Sequence, residues 1–221
     1  MSELERAISR RERVRQILGD TSAVLTDSHF VYTSGRHGDA YVNKDAIYPH
    51  TQATRELCGM WAEDFRGKDV DVVVGPAMGG VILSHDTASE LSRITGKHIP
   101  GVYAEKGKED DFIFTRGYED FVRGKKVLVV EDVLTTGGSA KRVIDAVRKL
   151  DGEVVGLAVI ANRGNVKPED VGVDNIDALI NVQMDSWAEE ECIKCEAGVP
   201  VNVKVGKGKE FLAKKSQTPS A

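Results

Sequence analysis

The sequence predicts an α/β fold in which a central, mostly parallel sheet is flanked by helices on both faces. Short β-branched apolar runs alternate with segments of helical periodicity through the middle of the chain, a pattern typical of parallel sheets. The length of 221 residues suits one α/β domain with additions. Apolar residues make up 41% and charged residues 29%, which is typical of a soluble globular chain with a sizeable core.

The individual helices and strands follow from the spacing of apolar residues. A first helix is expected from Leu4 to Leu18, with Gly19 as its stop. A second helix begins after Pro49 and carries apolar residues in steps of four: Ala53, Leu57, Trp61 and Phe65. Short buried strands are predicted at 70–75, 99–104, 127–130, 154–161 and 177–182, and further helices at 81–91 and 140–150.

Charge and cysteine content exclude several classes of protein. Lys plus Arg number 30 and Asp plus Glu 35, a formal charge of −5, which argues against a general nucleic-acid binder. No apolar run is long enough to span a bilayer, and the first 20 residues contain no apolar stretch typical of a signal peptide. Three cysteines argue for a reducing compartment. We therefore expect a cytoplasmic protein that binds neither nucleic acid nor membrane.

Two segments, the tail and a long internal connection, differ in composition from the rest of the chain. We expect one domain over residues 1–205, followed by a polar tail, 206–221, that frays. Segment 105–124 contains lysines, an acidic run and two glycines, and it is too charged for a core element. It is also longer than most connections, and long connections inside compact domains are usually functional or disordered.

The strongest functional signal is the run VLVVEDVLTTGGS at 127–139. An apolar strand leads into two acids, Glu131 and Asp132, and a loop rich in glycine and hydroxyl groups precedes a helix. Glycines let the backbone approach an anion, hydroxyls donate to its oxygens, and the amides of the helix N-terminus face the same point. The acids would repel a phosphate and are expected to face sugar hydroxyls or a hydrated metal ion. The run therefore predicts a ribose-phosphate site.

A second glycine-rich turn, Gly75-Pro76-Ala77-Met78-Gly79-Gly80, lies between a predicted strand and helix. Alone it indicates no more than a tight turn. Together with the first loop it predicts a second phosphate group on the ligand. Neither loop is a Walker A motif, because no Lys-Ser or Lys-Thr pair follows the glycines of the first, and no dinucleotide fingerprint opens its helix.

These motifs resemble a known family. The run at 127–139 resembles the signature of the type I phosphoribosyltransferases, which use phosphoribosyl pyrophosphate (PRPP). HFVYTSGRHGDAYVNKD at 29–45, GPAMGG at 75–80 and Arg163 in VIANRG resemble the orotate phosphoribosyltransferases of that family. Cys192-x-x-Cys195, followed by Gly198 and Pro200, resembles the C-terminus of one branch.

The resemblance implies a fold and a reaction. The type I phosphoribosyltransferase fold adds to the sheet a small hood, formed by the N- and C-terminal segments and a mobile loop, here 105–124. The reaction transfers the phosphoribosyl group of PRPP to orotate, giving orotidine 5′-monophosphate and pyrophosphate in pyrimidine biosynthesis. Mg²⁺ is the implied cofactor, held mainly by PRPP and water, with Asp132 as the protein residue that could add to it. A homodimer is the implied assembly.

The resemblance also implies roles for individual residues. The catalytic residues would be Lys106, Glu131 and Asp132, the last two on the ribose hydroxyls. The other PRPP contacts would be Lys108, the pyrophosphate loop Ala77, Met78, Gly79 and Gly80, and the 5′-phosphate loop Val133, Leu134, Thr135, Thr136, Gly137, Gly138 and Ser139. Orotate would contact Arg163, Thr135 and Tyr41, with the guanidinium matched to the carboxylate or a ring carbonyl.

Two departures from the family leave other functions open. Segment 105–124 has Glu109-Asp110-Asp111 and no histidine, and Thr33 stands where many members have lysine. Fewer cations then face the leaving pyrophosphate, although Arg116 and Lys44 could compensate. The alternatives are a phosphoribosyltransferase for a purine or other base, and a non-catalytic PRPP-sensing regulator. Arg163 favours orotate, since a carboxylated base calls for a cation.

The remaining signals are weaker. Cys192 and Cys195 form half of a zinc knuckle, and the third cysteine, Cys58, falls in a predicted helix. The five histidines are scattered, without a pair at ligand spacing. We therefore expect no zinc site within one chain.

Overall fold

The computed structural model describes residues 3–26, 28–32, 34–182 and 185–217. Its strands are β1 (Val24–Leu25), β2 (Phe30–Val31), β3 (His37–Gly38), β4 (Tyr41–Val42), β5 (Val72–Pro76), β6 (Gly101–Lys106), β7 (Phe112–Ile113), β8 (Lys126–Leu134), β9 (Glu153–Asn162), β10 (Ile176–Asn181) and β11 (Ser186–Trp187). Its helices are α1 (Glu3–Asp20), α2 (Thr51–Phe65), α3 (Gly79–Thr95), α4 (Glu119–Val122), α5 (Gly138–Arg148), α6 (Pro168–Val171), α7 (Ile193–Glu196) and α8 (Gly208–Gln217). Short 3-10 helices occupy Lys44–Ala46 and Glu189–Glu191.

The chain divides into two compact units, whereas the sequence analysis expects one domain over 1–205. The first unit comprises the chain through Ile17 and Tyr48–Val182, and the second comprises Leu18–Ile47 and Gln183–Ala221. In the first unit, six strands form a sheet in the order β10-β9-β8-β5-β6-β7. Only the β6–β7 pair is antiparallel. The prediction of a mostly parallel α/β sheet is confirmed.

Strand β8 lies inside this sheet and is buried on both faces. Val127 and Val129 belong to the same apolar cluster as the inward residues of α5. Leu128 is fully buried on the opposite face, beside Gly156 of β9, against which Phe65 of α2 packs closely. Helices therefore cover both faces, which explains why the strand reads as a continuous apolar run.

Segment 105–124 contains regular structure where the sequence analysis expects a mobile loop. β6 and β7 form an antiparallel hairpin, and α4 follows. Phe112 and Phe114 are buried in the core cluster, while Lys108 and Glu109 between the strands are exposed. The expectation that this segment is too charged for core packing is wrong, because the charged and apolar residues occupy different sides of the hairpin.

The second unit is built from the N- and C-terminal segments, as the hood implied by the resemblance requires. Its described residues form a two-stranded sheet, β1-β4, and a three-stranded sheet, β11-β3-β2. In the latter, Ser186 pairs with Gly38 and Trp187 with His37, so the two terminal segments meet in one sheet. The hairpin of 105–124 belongs to the first unit.

The tail forms a helix over much of its length, whereas the sequence analysis expects it to fray. Lys207 bonds Glu210 at 2.8 Å across the first turn of α8. Phe211 packs perpendicular to the ring of His37, with centroids 4.8 Å apart, and Lys215 bonds Glu189 at 2.8 Å. The contacts of Phe211 and Lys215 with residues distant in sequence stabilise a segment whose composition is too polar to predict packing. Residues 218–221 lie outside the described part of the chain.

Of the helices in the described part of the chain, none combines the length and the apolar character that crossing a membrane requires.

Candidate active site

The 5′-phosphate loop predicted from the sequence follows directly from the end of β8. Gly137 takes a left-handed conformation, with φ of 75°, and caps the N-terminus of the eleven-residue helix α5. The backbone amides at this end of α5 and the hydroxyls of Thr135, Thr136 and Ser139 are donors suited to an anion. A cavity of about 120 Å³ lies here, lined by Glu131, Val133, Leu134, Thr135, Thr136, Gly137, Gly138, Ser139 and Ala140.

The two acids before this loop are buried and held by hydrogen bonds. Glu131 is 6% and Asp132 4% exposed. The Asp132 amide donates to Glu131 Oε1 at 2.9 Å, and the Val133 amide donates to Asp132 Oδ1 at 2.7 Å. The Tyr48 hydroxyl donates to Asp132 Oδ2 at 3.2 Å. Tyr48 could not be predicted from the sequence, because nothing there links it to a carboxylate more than eighty positions away.

The predicted pyrophosphate loop meets Asp132. It connects β5 to α3, and the Ala77 amide donates to the Ala104 carbonyl of β6 at 2.8 Å. A Cβ added to Gly79 would lie 2.1 Å from Asp132 Oδ2 and 2.7 Å from the Tyr48 hydroxyl oxygen. Only glycine fits this approach. The two loops that the sequence singled out therefore lie together, with Asp132 between them, and Met78 is exposed.

Arg163 and Gly164 pack against the 5′-phosphate loop. Arg163 Nε donates to Thr135 Oγ1 at 2.8 Å. The backbone amides of Arg163 and Gly164 both donate to the Leu134 carbonyl, at 3.0 and 3.2 Å. A Cβ added to Gly164 would lie 1.6 Å from the Thr135 carbonyl oxygen, so the two backbones are in close contact. The structure thus brings together two of the three residues predicted to contact orotate. Gly164 is a further residue of the site that the sequence analysis missed.

The two predicted lysines lie on the hairpin of the first unit. Lys106 is the exposed last residue of β6, and Lys108 is exposed in the turn that follows. Ala104 of β6 pairs with Pro76, the last residue of β5 before the pyrophosphate loop. Lys106 follows Ala104 by two residues in β6, so it lies at the carboxyl end of the sheet.

The acidic run of the hairpin is partly neutralised. Asp110 accepts a hydrogen bond from Arg142 Nη1 of α5 at 2.6 Å. Glu105 accepts one from Arg116 Nη2 at 3.2 Å, and hydrogen bonds from Thr115 and then Arg116 lower the pKa of Glu105. The side chain of Arg116, expected as a possible compensating cation, is engaged by this carboxylate.

The other predicted positions lie in the second unit. Tyr41 is in β4, and its ring packs against Phe30 with centroids 5.5 Å apart. Lys44 opens a 3-10 helix. Thr33, the departure from the family pattern, lies outside the described residues.

A second cluster of chemically reactive side chains lies within the second unit. One ligand atom from each of His29, His37, Cys192 and Cys195 lies within 4.8 Å of the others. Burial, and then the charge of His29, lowers the pKa of His37. From the sequence we expect no zinc site within one chain, but the structure brings two histidines beside the two cysteines. In the sequence, only the Cys-x-x-Cys spacing indicated this cluster. The histidines are far from the cysteines in the sequence and become their neighbours through folding.

Comparisons with known proteins point to one enzyme family. Residues 44–194 match the model of the phosphoribosyl transferase domain. The chain is 36% identical over 199 residues to the orotate phosphoribosyltransferase of Caldanaerobacter subterraneus subsp. tengcongensis, covering 90% of this chain and 98% of the relative. It is 38% identical, with the same coverage of each chain, to the orotate phosphoribosyltransferase of Pelotomaculum thermopropionicum.

Among solved structures, the fold is similar to that of orotate phosphoribosyltransferase from Mycobacterium tuberculosis H37Rv, in complex with Fe(III) dicitrate. The TM-score is 0.62 at 24% sequence identity, covering 78% of this chain and 96% of that one. At this sequence identity, the structural similarity is evidence for the fold alone.

Proposed function

The chain belongs to the phosphoribosyltransferase family and, within it, to the orotate phosphoribosyltransferases, and we propose on this premise that it transfers the phosphoribosyl group of PRPP to orotate. The products are orotidine 5′-monophosphate and pyrophosphate. The observation that carries the proposal is the arrangement of 131–139, in which buried acids adjoin a loop of anion donors at the N-terminus of α5.

The 5′-phosphate and the ribose bind at opposite ends of this segment. The amides and hydroxyls of Thr135 to Ser139 donate to the phosphate oxygens. Glu131 and Asp132 accept hydrogen bonds from the ribose hydroxyls. As the bond from C1 to pyrophosphate breaks, the sugar becomes oxocarbenium-like, and the nearby negative charge of these acids stabilises it. The hydrogen bonds from Val133 and Tyr48 fix the direction of the Asp132 carboxylate before substrate arrives.

The pyrophosphate binds the loop from Ala77 to Gly80, whose glycines admit a large anion close to the backbone. Its negative charge increases as it leaves, so a cation that approaches at that moment lowers the barrier. Lys106, exposed at the end of β6, supplies this cation, and Lys108 adds a second charge. The ion pair between Asp110 and Arg142 removes part of the opposing negative charge.

Orotate binds beside Thr135. The Arg163 guanidinium is a planar set of donors that matches a carboxylate or a ring carbonyl, and its Nε bond to Thr135 fixes its position. Tyr41 remains a prediction for the base site. The base nitrogen of orotate then attacks C1 of the ribose with inversion, from the side opposite the leaving pyrophosphate.

Mg²⁺ is the cofactor that we propose, and the donor set fits it. Glu131 and Asp132 are adjacent carboxylates, and hard divalent cations prefer oxygen ligands and retain water. Asp132 would hold the ion through water, beside the pyrophosphate oxygens. When bound, Mg²⁺ neutralises charge on the pyrophosphate. We further propose a cytoplasmic homodimer acting in pyrimidine biosynthesis, without nucleic acid or membrane as partner.

The test mixes purified protein with PRPP, orotate and Mg²⁺ and follows the loss of orotate ultraviolet absorbance. We expect loss of absorbance that requires all three components, with pyrophosphate released in equal amount. PRPP binding is measured separately by calorimetry.

The same assay decides between this proposal and its rivals. If PRPP binds and a purine base reacts while orotate does not, the protein is a phosphoribosyltransferase for another base. If PRPP binds and no base reacts, it is a PRPP-sensing regulator. Either result would overturn the assignment to orotate.

A further inference from the structure

Four side chains in the second unit, none of which has a role in the proposed reaction, meet at one point. They are His29 beside β2, His37 in β3, Cys192 before α7 and Cys195 within it. His29, His37 and Cys192 are buried, and Cys195 is half-buried. We propose that these four residues bind one zinc ion in a closed, structural site of the second unit.

Three nitrogen–sulfur distances in the cluster are close to those around a tetrahedral ion, and all four ligand atoms lie within 4.8 Å of one another. Cys195 Sγ lies 3.7 Å from His29 Nε2 and 3.3 Å from His37 Nδ1, and Cys192 Sγ lies 3.5 Å from His29 Nε2. Zinc bonded to sulfur and nitrogen at its usual lengths gives N···S edges of about 3.6 Å and N···N edges of about 3.3 Å. The two histidine nitrogens are 2.8 Å apart, so a small outward movement admits the ion.

The surroundings of His29 orient it as a ligand. Its Nδ1 lies 2.8 Å from the Val199 carbonyl oxygen, which accepts a hydrogen bond and requires the proton on that nitrogen. The lone pair of the neutral ring is then on Nε2, which faces His37 and both cysteines. A histidine that donates its other N–H to a carbonyl is the usual arrangement at metal sites. The hydrogen bond to Val199 therefore orients His29 Nε2 as a metal ligand.

The composition of the cluster selects the metal and its role. Two sulfurs and two imidazoles in a tetrahedral arrangement favour zinc over Mg²⁺ or Ca²⁺, which prefer oxygen. Four protein ligands leave no position for water or substrate, so the ion is structural. When Zn²⁺ binds, it replaces the protons of the two thiols, which are released to solvent. The ring of Phe211 packs edge-on against that of His37.

Such an ion would join the two terminal segments that build this unit. The histidines lie in β3 or beside β2, and the cysteines lie in α7 or directly before it. Cys195 and His37 are 158 residues apart in the sequence. The β11–β3 pair that connects these segments is only two residues long. Metal bonds would add the stability that so small a sheet lacks.

The test uses the full chain, freed of any affinity tag and purified without chelator. We expect about one zinc per chain by elemental analysis. After chelation, Co²⁺ should restore one equivalent and give the visible absorption of a tetrahedral ion and the ultraviolet band of cobalt–thiolate bonds. One equivalent of Zn²⁺ should then remove both signals.

Cys192→Ser should lose the zinc and the thiolate band, whereas Cys58→Ala should keep both, because Cys58 is buried in α2 of the other unit. Should Cys192→Ser fail to fold, the cobalt spectrum of the unaltered chain decides. Absence of zinc together with absence of a thiolate band, equal zinc in Cys192→Ser, or a Cys192–Cys195 disulfide in freshly purified protein would each overturn the proposal. Zinc content is measured without substrate, so it is independent of the outcome of the orotate assay.

Discussion

The 5′-phosphate loop of the first unit and the His–Cys cluster of the second are built in opposite ways. The loop is one continuous stretch, 133–139, and its donors are backbone amides and hydroxyls at the end of a single strand. The cluster takes its four side chains from segments at the two ends of the chain. A site made by consecutive residues can therefore be predicted from sequence, whereas a site assembled by folding is visible only in three dimensions.

The largest effect is expected from Gly164→Ala. This change tests whether the conformation of the 5′-phosphate loop depends on a residue outside the loop. The new Cβ would lie 1.6 Å from the Thr135 carbonyl oxygen, so the loop backbone must move. We expect PRPP affinity, measured by calorimetry, to fall about 100-fold, or about 2.7 kcal/mol. Gly67→Ala is the control, since nothing lies within 4 Å of its Cβ position. Unchanged affinity in folded Gly164→Ala would show that the loop does not depend on this neighbour.

Arg163→Ala should separate the two substrates of the first unit. Loss of a charged donor should weaken orotate binding about 10- to 100-fold and PRPP binding much less. Dissociation constants for both substrates check this. Arg163→Lys is the matched variant, because it keeps the charge and removes the planar donor set. Equal weakening of both substrates would remove Arg163 from the base site.

Lys106→Ala should lower kcat about tenfold with little change in PRPP affinity, because the lysine acts on charge that develops as pyrophosphate leaves. Steady-state rates and calorimetric titration together measure the two effects. Lys97→Ala, which removes an exposed lysine bonded to Asp69, should change neither. A kcat equal to that of the unaltered chain would contradict the role of Lys106.

A smaller effect concerns the dependence of stability on pH. We expect the stability of the first unit to depend on pH, whereas that of the second unit should depend on bound metal. Burial, and then Asp64, raises the pKa of Asp177 to about 7. In the unfolded chain this carboxyl ionises near pH 4, whereas in the folded chain it keeps its proton to about pH 7. The free energy of unfolding should therefore fall as pH rises from about 4 to about 7.

Asp177→Asn removes this ionisation. We expect it to melt about 2–4 °C higher than the unaltered chain at pH 8 and at a similar temperature at about pH 4. Thermal melts across this range measure the difference, and the exposed Asp151→Asn serves as control. A difference in melting temperature that does not vary with pH would contradict the raised pKa.

The parts of the molecule that could be predicted from sequence are those whose physics is local. The run from Val127 to Val130 indicated a strand buried on both faces, and the glycines and threonines after Asp132 indicated an anion loop. Besides the His–Cys cluster, two parts of the fold could not be predicted. Phe112 and Phe114 pack into the core although charged residues surround them in the sequence, and α8 is stabilised by contacts of Phe211 and Lys215 with distant residues.

The Leu134 carbonyl has a consequence for how the two substrates affect one another. It accepts hydrogen bonds from the amides of both Arg163 and Gly164, so the end of strand β8 and the segment after β9 are joined at one atom. A ligand that fixes either segment must therefore restrict the other. We expect prior occupancy by PRPP to strengthen the binding of the base, and thermodynamic reciprocity requires the base to strengthen PRPP by the same factor.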